Sequence, residues 1–278
     1  APYGVGTVDQ ALMSILQTKH FFVRLLGLSG KVIIFDEVHA YDAYMSELFE
    51  RLLSWLHAVD ASVIVLSATL SDKTRQKLVQ AYSGKTNVIA DVATYPRLTY
   101  VHGGAPKTVA LPSPPTKTLH YAWLPRDEGA IIEKLSELLR NGGCAAVICN
   151  TVTRAQALFQ AIRDQPEKLC DDDDLILFHA RFPMAWREEI ERKVIQKFGA
   201  GVDKSMPNPD RPRRAIVVAT QVIEQSLDLD FDIMISDHAP IDLLLQRSGR
   251  LHRHTVNDAQ RQHPNCLWIA EPPVEGDI

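Results

Sequence analysis

Short, almost unbroken apolar runs alternate with stretches of helical periodicity along most of this chain, and few folds satisfy that pattern. In the first half, Val32–Phe35 and Val63–Leu66 flank Met45–Ala58, where Leu48, Leu52, Trp55 and Leu56 recur at roughly helical spacing. In the second half, strands are expected at Ala145–Cys149, Leu175–Phe178, Ile216–Ala219, Ile233–Ile235 and Leu267–Ala270. Helices are expected at Gly129–Arg140, Arg154–Asp164 and Trp186–Phe198. A strand without polar alternation has to be covered on both faces, which parallel sheets between helices achieve. The pattern predicts an α/β fold with parallel sheets flanked by helices.

At 278 residues the chain exceeds one average domain, and two compact units are expected. The Gly-, Pro-, Ser- and Thr-rich stretch His102–Lys117 reads as the end of the first unit and a linker to the second, giving boundaries of 1–115 and 116–278. A loop rich in Pro, Asp and Arg, Gly199–Arg213, interrupts the second half, and no repeat of solenoid period is visible. The chain opens at Ala1 in mid-pattern, so a fragment is expected, its first domain truncated at the N-terminus.

Composition narrows the partners. The 30 Lys and Arg against 34 Asp and Glu leave a net charge of -4, which excludes a broadly basic coat but not a local basic stripe for nucleic acid. The four cysteines, Cys144, Cys149, Cys170 and Cys266, show neither a C-x-x-C pair nor zinc spacing, which fits reduced thiols in a cytoplasmic protein better than a disulfide framework. No apolar run approaches the ~20 residues of a membrane span, and no signal-peptide pattern opens the chain, so no membrane partner is expected.

Asp36-Glu37-Val38-His39 directly follows the run Val32–Phe35. Ligands of open parallel sheets bind at the carboxyl ends of strands, so two carboxylates there are well placed. Asp36 suits Mg²⁺ held through water. Glu37 suits orienting or deprotonating the water that attacks a γ-phosphate. Taken alone, the pair is equally a solvated acidic strand end. Ser67-Ala68-Thr69 closes the next strand, and its Ser67 and Thr69 hydroxyls could couple nucleotide state to a nucleic-acid surface. A lone S-A-T is more often a turn or helix cap, but two strand ends in this order are harder to obtain by chance.

Gln246-Arg247-Ser248-Gly249-Arg250-Leu251-His252-Arg253-His254 crowds three arginines together. Such a set is either solvated or faces an anion, and a planar guanidinium matches phosphate. In a closed motor, Arg250 and Arg253 would act as arginine fingers on developing γ-phosphate charge. Between these motifs, Thr220 follows a strand and could donate to a nucleic-acid phosphate. Asp228 could contact a ribose or pair with a finger arginine.

The order D-E-V-H, S-A-T, T-Q-V-I-E-Q-S-L-D, Q-R-S-G-R-L-H-R resembles motifs II, III, V and VI of superfamily 2 helicases. With V-G-T-V-D-Q-A-L (Val5–Leu12), D-E-V-H-A-Y-D (Asp36–Asp42) and H-A-R-F (His179–Phe182), the chain is similar to the CRISPR-associated helicase-nuclease family of type I systems from Val5 to His254. The resemblance implies two RecA-like domains, ATP and Mg²⁺ as cofactors, and single-stranded DNA and an RNA-guided surveillance complex as partners. It implies nucleotide contacts at Asp36, His39, Asp228, Arg247, Arg250 and Arg253, with Gln246 joining Asp36, Glu37 and the arginines in catalysis. Thr7 and Asp9 fall in a Ib-like segment, and Thr151 and Arg181 in the motif IV regions. With Thr220, these would track DNA backbone rather than sequence.

No G-x-x-x-x-G-K-[ST] phosphate loop occurs. Gly30-Lys31 is followed by Val32, and Gly84-Lys85-Thr86 has Val79 where the first glycine belongs. The family's histidine–aspartate nuclease domain is not matched either, so the P-loop and nuclease portions of the same protein are expected partners. Asp237-His238 and His252-Arg253-His254 lack the context of a metal site. Two other readings stay open: an RNA helicase of the same superfamily, and a non-catalytic module that docks DNA or a partner.

Overall fold

The computed structural model describes residues 3–16, 19–38, 43–67, 70–85, 95–103, 105–113, 116–201, 203–224 and 227–272. Its contacts divide the chain into two compact units, Ala1–Thr116 and Lys117–Ile278.

In the first unit, α1 (Val8–Leu12) and α2 (Phe21–Leu28) precede β1 (Val32–Phe35), and α3 (Ala43–Ala58) leads to β2 (Ser62–Val65). The two strands pair in parallel, Ile34 opposite Ile64. Phe49, Leu52, Leu53 and Leu56, spaced to share one stripe of α3, are buried and cover one face of the pair. The Phe35 and Phe49 rings meet edge to face at 4.8 Å.

α4 (Asp72–Ser83) follows. Ser71 caps it by accepting from the Thr74 amide at 3.1 Å, and Gly84, at φ 65, turns the chain out in the left-handed region that suits glycine. β3 (Arg97–Tyr100) then pairs antiparallel with β4 (Lys107–Ala110). Within the stretch His102–Lys117, read from sequence as the end of the first unit and a linker, β4 is a strand that the reading did not place. Thr108, Val109 and Ala110 are compatible with strand once a turn through Gly103, at φ 61, brings them beside β3. The buried Arg75 of α4 fastens this hairpin, donating to the Thr99 hydroxyl at 3.1 Å and to Asp72 at 3.0 Å.

The second unit is a RecA-like α/β domain. In chain order come β5 (His120–Leu124), α5 (Glu128–Leu138), β6 (Gly143–Ile148), α6 (Val152–Arg163), β7 (Leu175–Phe178), α7 (Met184–Phe198), β8 (Arg214–Ala219), β9 (Ile233–Asp237), α8 (Ile241–Ser248) and β10 (Cys266–Ala270). The strands form one six-stranded sheet in the order β5-β10-β9-β6-β8-β7. Every pairing is parallel, so all the carboxyl ends lie along one edge. Alternate residues feed two cores. Ala146, Ile148, Val217, Ala219, Met234 and Ile269 pack with Val194 and Phe198 of α7 and Leu244 of α8. Ala145, Val147, Ile216, Val218 and Ile235 pack with Ile131 and Leu135 of α5 and Leu158 and Ile162 of α6.

At the opposite, amino-terminal edge, the Arg-rich loop is tied down. Arg211 donates to Asp232 and to the Asp230 carbonyl, each at 2.8 Å. Arg261 donates to Asp230 at 2.7 Å and to Asp232 at 3.0 Å. Buried carboxylates survive here because each has cationic partners. The four cysteines are unpaired thiols. Among the described residues, no helix is long and apolar enough to cross a membrane.

Candidate functional site

In the first unit, Asp36 and Glu37 leave the end of β1 into solvent. The Glu37 amide donates to Asp36 Oδ1 at 2.9 Å. Glu37 has φ 55, a left-handed backbone conformation that non-glycine residues adopt rarely. Strain of this kind concentrates where a side chain has to be aimed. Ser67 is half-buried past the end of β2, beside the Asp36 strand. Thr7 and Asp9 are exposed at the start of α1. His39 and Thr69 lie outside the described residues.

In the second unit the carboxyl edge of the sheet collects the other motif residues. Thr151 opens α6, its hydroxyl accepting from the Arg154 amide at 3.3 Å. Arg181 is exposed in the turn after β7, where Phe182 stacks on the buried His179 ring at 4.1 Å. Burial lowers the His179 pKa, and the nearby Arg181 charge adds to that. Thr220 follows β8 but is only 3% exposed, its amide donating to the Phe178 carbonyl at 3.1 Å. The Thr220 side chain is thus largely covered at the strand end.

The three arginines differ sharply in their surroundings. Arg247 is 0% exposed. Its Nε donates to Glu224 at 2.6 Å, Nη1 to the Ser236 hydroxyl at 2.7 Å and to the Asp237 carbonyl at 3.1 Å, and Nη2 to Asn150 Oδ1 at 3.4 Å. Arg247 thus directs four hydrogen bonds at protein acceptors. Arg250 is also buried and donates to the Glu224 and Gln246 carbonyls. Gln246 itself is half-buried on α8.

Arg253 is exposed and pairs with Asp228 at 2.8 Å. Asp228 also meets His254 at 2.9 Å and Lys204 at 3.2 Å. Burial pushes the Asp228 carboxyl up, but the hydrogen bonds from His254 and Lys204 and the neighbouring charges outweigh it and hold the pKa at about 2. The structure thus displays Asp228 paired with Arg253.

Three residues the sequence reading passed over join these pieces: Asn150, Glu224 and Asp237. Asp237 accepts from the Asn150 amide at 2.8 Å and from Arg154 Nε at 2.8 Å. Both Asn150 and Glu224 sit beside motif residues just past strand ends, which was the available signal. The histidines near these motifs have ordinary packing roles. His238 stacks with Trp123 at 5.9 Å, and His252 Nε2 lies 3.1 Å from the Asp232 carbonyl. Among the described residues, no group of three or more His, Cys, Asp or Glu could cage a metal.

Comparison with known proteins gives this geometry a likeness. The family model for CRISPR-associated nuclease/helicase Cas3, C-terminal, matches residues 141–256. The CRISPR-associated endonuclease/helicase Cas3 of Thermus thermophilus is 41% identical over 91% of this chain and 30% of its own length. The crystal structure of T. fusca Cas3-ATP superposes on 99% of the chain and 34% of its own, with 36% identity and a TM-score of 0.84. A CRISPR RNA-guided surveillance complex, pre-nicking, contains a chain superposing with 37% identity, a TM-score of 0.80 and coverage of 100% and 36%. The chain thus spans about a third of the length of the relatives it matches. With similarity running along its whole length, the chain is similar to part of the CRISPR-associated nuclease/helicase Cas3 proteins, the C-terminal family model matching within its second unit.

Proposed function

We propose that this chain is part of an ATP-driven single-stranded DNA translocase that unwinds target DNA in CRISPR interference. The observation that carries the reading is the edge of the second unit's sheet. There Thr151, Arg181, Thr220 and Asp237 mark successive strand ends, and the arginine segment is anchored to the Asp237 carbonyl through Arg247. Ligand sites of parallel α/β sheets form on that edge. The likeness to T. fusca Cas3-ATP supports ATP as the nucleotide, and the likeness to a chain of a surveillance complex supports recruitment by such an assembly.

The donor chemistry fits Mg²⁺. Asp36 is a single exposed carboxylate at a strand end, and Mg²⁺ bound with phosphate keeps several waters and needs only one or two carboxylates. When bound, the metal would neutralise phosphate charge. Glu37, aimed by its left-handed backbone, holds or deprotonates the attacking water. Arg253, the exposed arginine, answers the charge developing on the γ-phosphate, and Asp228 keeps its guanidinium oriented. Arg250 and Arg247 support it from the interior. Thr7 and Asp9 in the first unit, and Thr151 and Arg181 in the second, contact DNA backbone, and Ser67 couples nucleotide state at the end of β2 to DNA binding.

The test is ATP turnover by the full-length protein. Single-stranded DNA should stimulate it more than RNA of the same length. Glu37→Gln should lower the stimulated rate by about 10²-fold or more, the usual contribution of a general base. Equal stimulation by RNA, or a Glu37→Gln variant within a few-fold of wild type, would overturn the reading.

A further inference from the structure

Asn150 uses every one of its polar groups, although the residue itself is exposed. Its amide donates to Asp237 Oδ2 at 2.8 Å, and its Nδ2 donates to the His238 carbonyl at 2.7 Å. Its carbonyl accepts from Gln221 Nε2 at 3.1 Å, and its Oδ1 accepts from Arg247 Nη2 at 3.4 Å. One residue thus touches the segments that follow β8 and β9, and the arginine segment, while sitting at the end of β6.

The contacts close into a ring. Thr151, the next residue, caps α6 by accepting from the Arg154 amide, and Arg154 Nε returns to Asp237 at 2.8 Å. On the other side Arg247 grips the Glu224 carboxylate, and Arg250 donates to the carbonyl of that same Glu224. From the Thr151 turn one path to Arg250 runs through Asn150, Arg247 and Glu224, and a second reaches Arg247 through Arg154 and Asp237, whose carbonyl accepts from Arg247 Nη1 at 3.1 Å. Arg247 and Glu224 are buried, where hydrogen bonds are stiff and an unpaired partner is costly. Both routes tie the Thr151 turn to the arginine segment, the one through Asn150 by a side-chain contact that a single substitution removes.

We propose that Asn150 is a positioning residue that couples the DNA-facing Thr151 turn to the arginine segment through its Oδ1–Arg247 contact. The proposal rests on the functional reading above. It assigns a task to a residue whose side-chain donor and acceptor both meet protein partners.

The experiment measures ATP turnover of the full-length protein against single-stranded DNA concentration for wild type, Asn150→Ala and Asn150→Asp, with thermal melts alongside. Asn150→Ala should keep DNA-free turnover within about twofold of wild type and lose about fivefold or more of the DNA-saturated rate, the lower end of typical coupling effects. The concentration of DNA giving half-stimulation should change less than that rate. Asn150→Asp keeps the acceptor facing Arg247 but sets a carboxylate oxygen in place of the donor to the His238 carbonyl, and should recover part of the lost stimulation. The link is overturned if Asn150→Ala keeps full stimulation, if its basal and stimulated rates fall by the same factor, if only half-stimulation moves, or if Asn150→Asp is no better than Asn150→Ala. Wild-type protein without DNA stimulation would instead sink the functional reading, and the link with it.

Discussion

The sheets of the two units are written in the same alphabet and end up in opposite situations. In the second unit the central strands β6, β8 and β9 are buried almost residue by residue, because α5 and α6 cover one face and α7 and α8 the other. In the first unit β1 and β2 read just as apolar, yet only the Phe35 side is packed, against α3. On the other side Val32, Ile34, Ile64 and Leu66 are 67%, 60%, 44% and 47% exposed. An unbroken apolar run states that both faces of a strand are to be covered, not what covers them. A contiguous apolar face of this kind marks a contact surface or an aggregation liability.

That contrast is open to direct attack. Ile148→Ser, in the core of the second unit, should cost about 3–5 kcal/mol, combining a lost aliphatic side chain with a buried hydroxyl. Ile34→Ser, on the open face of the first, should change stability by no more than about 0.5 kcal/mol and improve solubility. Denaturant unfolding of the chain measures both. An Ile34→Ser cost near that of Ile148→Ser would mean the face is covered in solution and would break the comparison.

A smaller effect sharpens it in acid. Asp228 and Asp230 of the second unit are both held below the usual carboxylate range: burial raises each, and hydrogen bonds and cationic neighbours more than offset that. A depressed folded-state pKa contributes stability above the unfolded value, and that contribution is lost as pH falls through the folded one. The Asp228 contribution should therefore persist at pH 5 and disappear between about 4 and about 2. Carboxyl NMR titration should place the Asp228 midpoint near about 2. A midpoint at the ordinary aspartate value would contradict its pairing with Arg253, His254 and Lys204.

How much could be read in advance depended on burial. Strands covered on both faces, such as Ala145–Cys149 and Ile216–Ala219, announced themselves because every position is apolar. β5 did not, since His120, Tyr121 and Trp123 leave an edge strand looking polar and aromatic. α4 was hidden by its composition: it buries only Arg75 and Leu78, and an arginine is not read as core. β4 was hidden among glycines and prolines whose signal is the turn, not the strand.

The candidate site shows the same limit. The letters located strand ends well, but Arg247, Arg250 and Arg253 are identical in sequence and differ only in what surrounds them. Helical phase held a clue. Arg247 lies three residues after Leu244, on the same buried stripe of α8, whereas Arg253 lies beyond the helix beside Asp228. Glu224 lay inside the T-Q-V-I-E-Q-S-L-D motif but was given no role of its own, and Asn150 lay outside every motif, because their task is to hold other side chains.

The account's central claim is that Arg253, held by Asp228 and backed by a buried arginine network, answers the charge of the transferring phosphate. Single-turnover ATP hydrolysis by full-length Arg253→Gln protein at saturating single-stranded DNA tests it most directly. The account predicts a rate about 10³-fold or more below wild type, as for loss of an arginine finger, with ATP affinity little changed. A rate within a few-fold of wild type would contradict it.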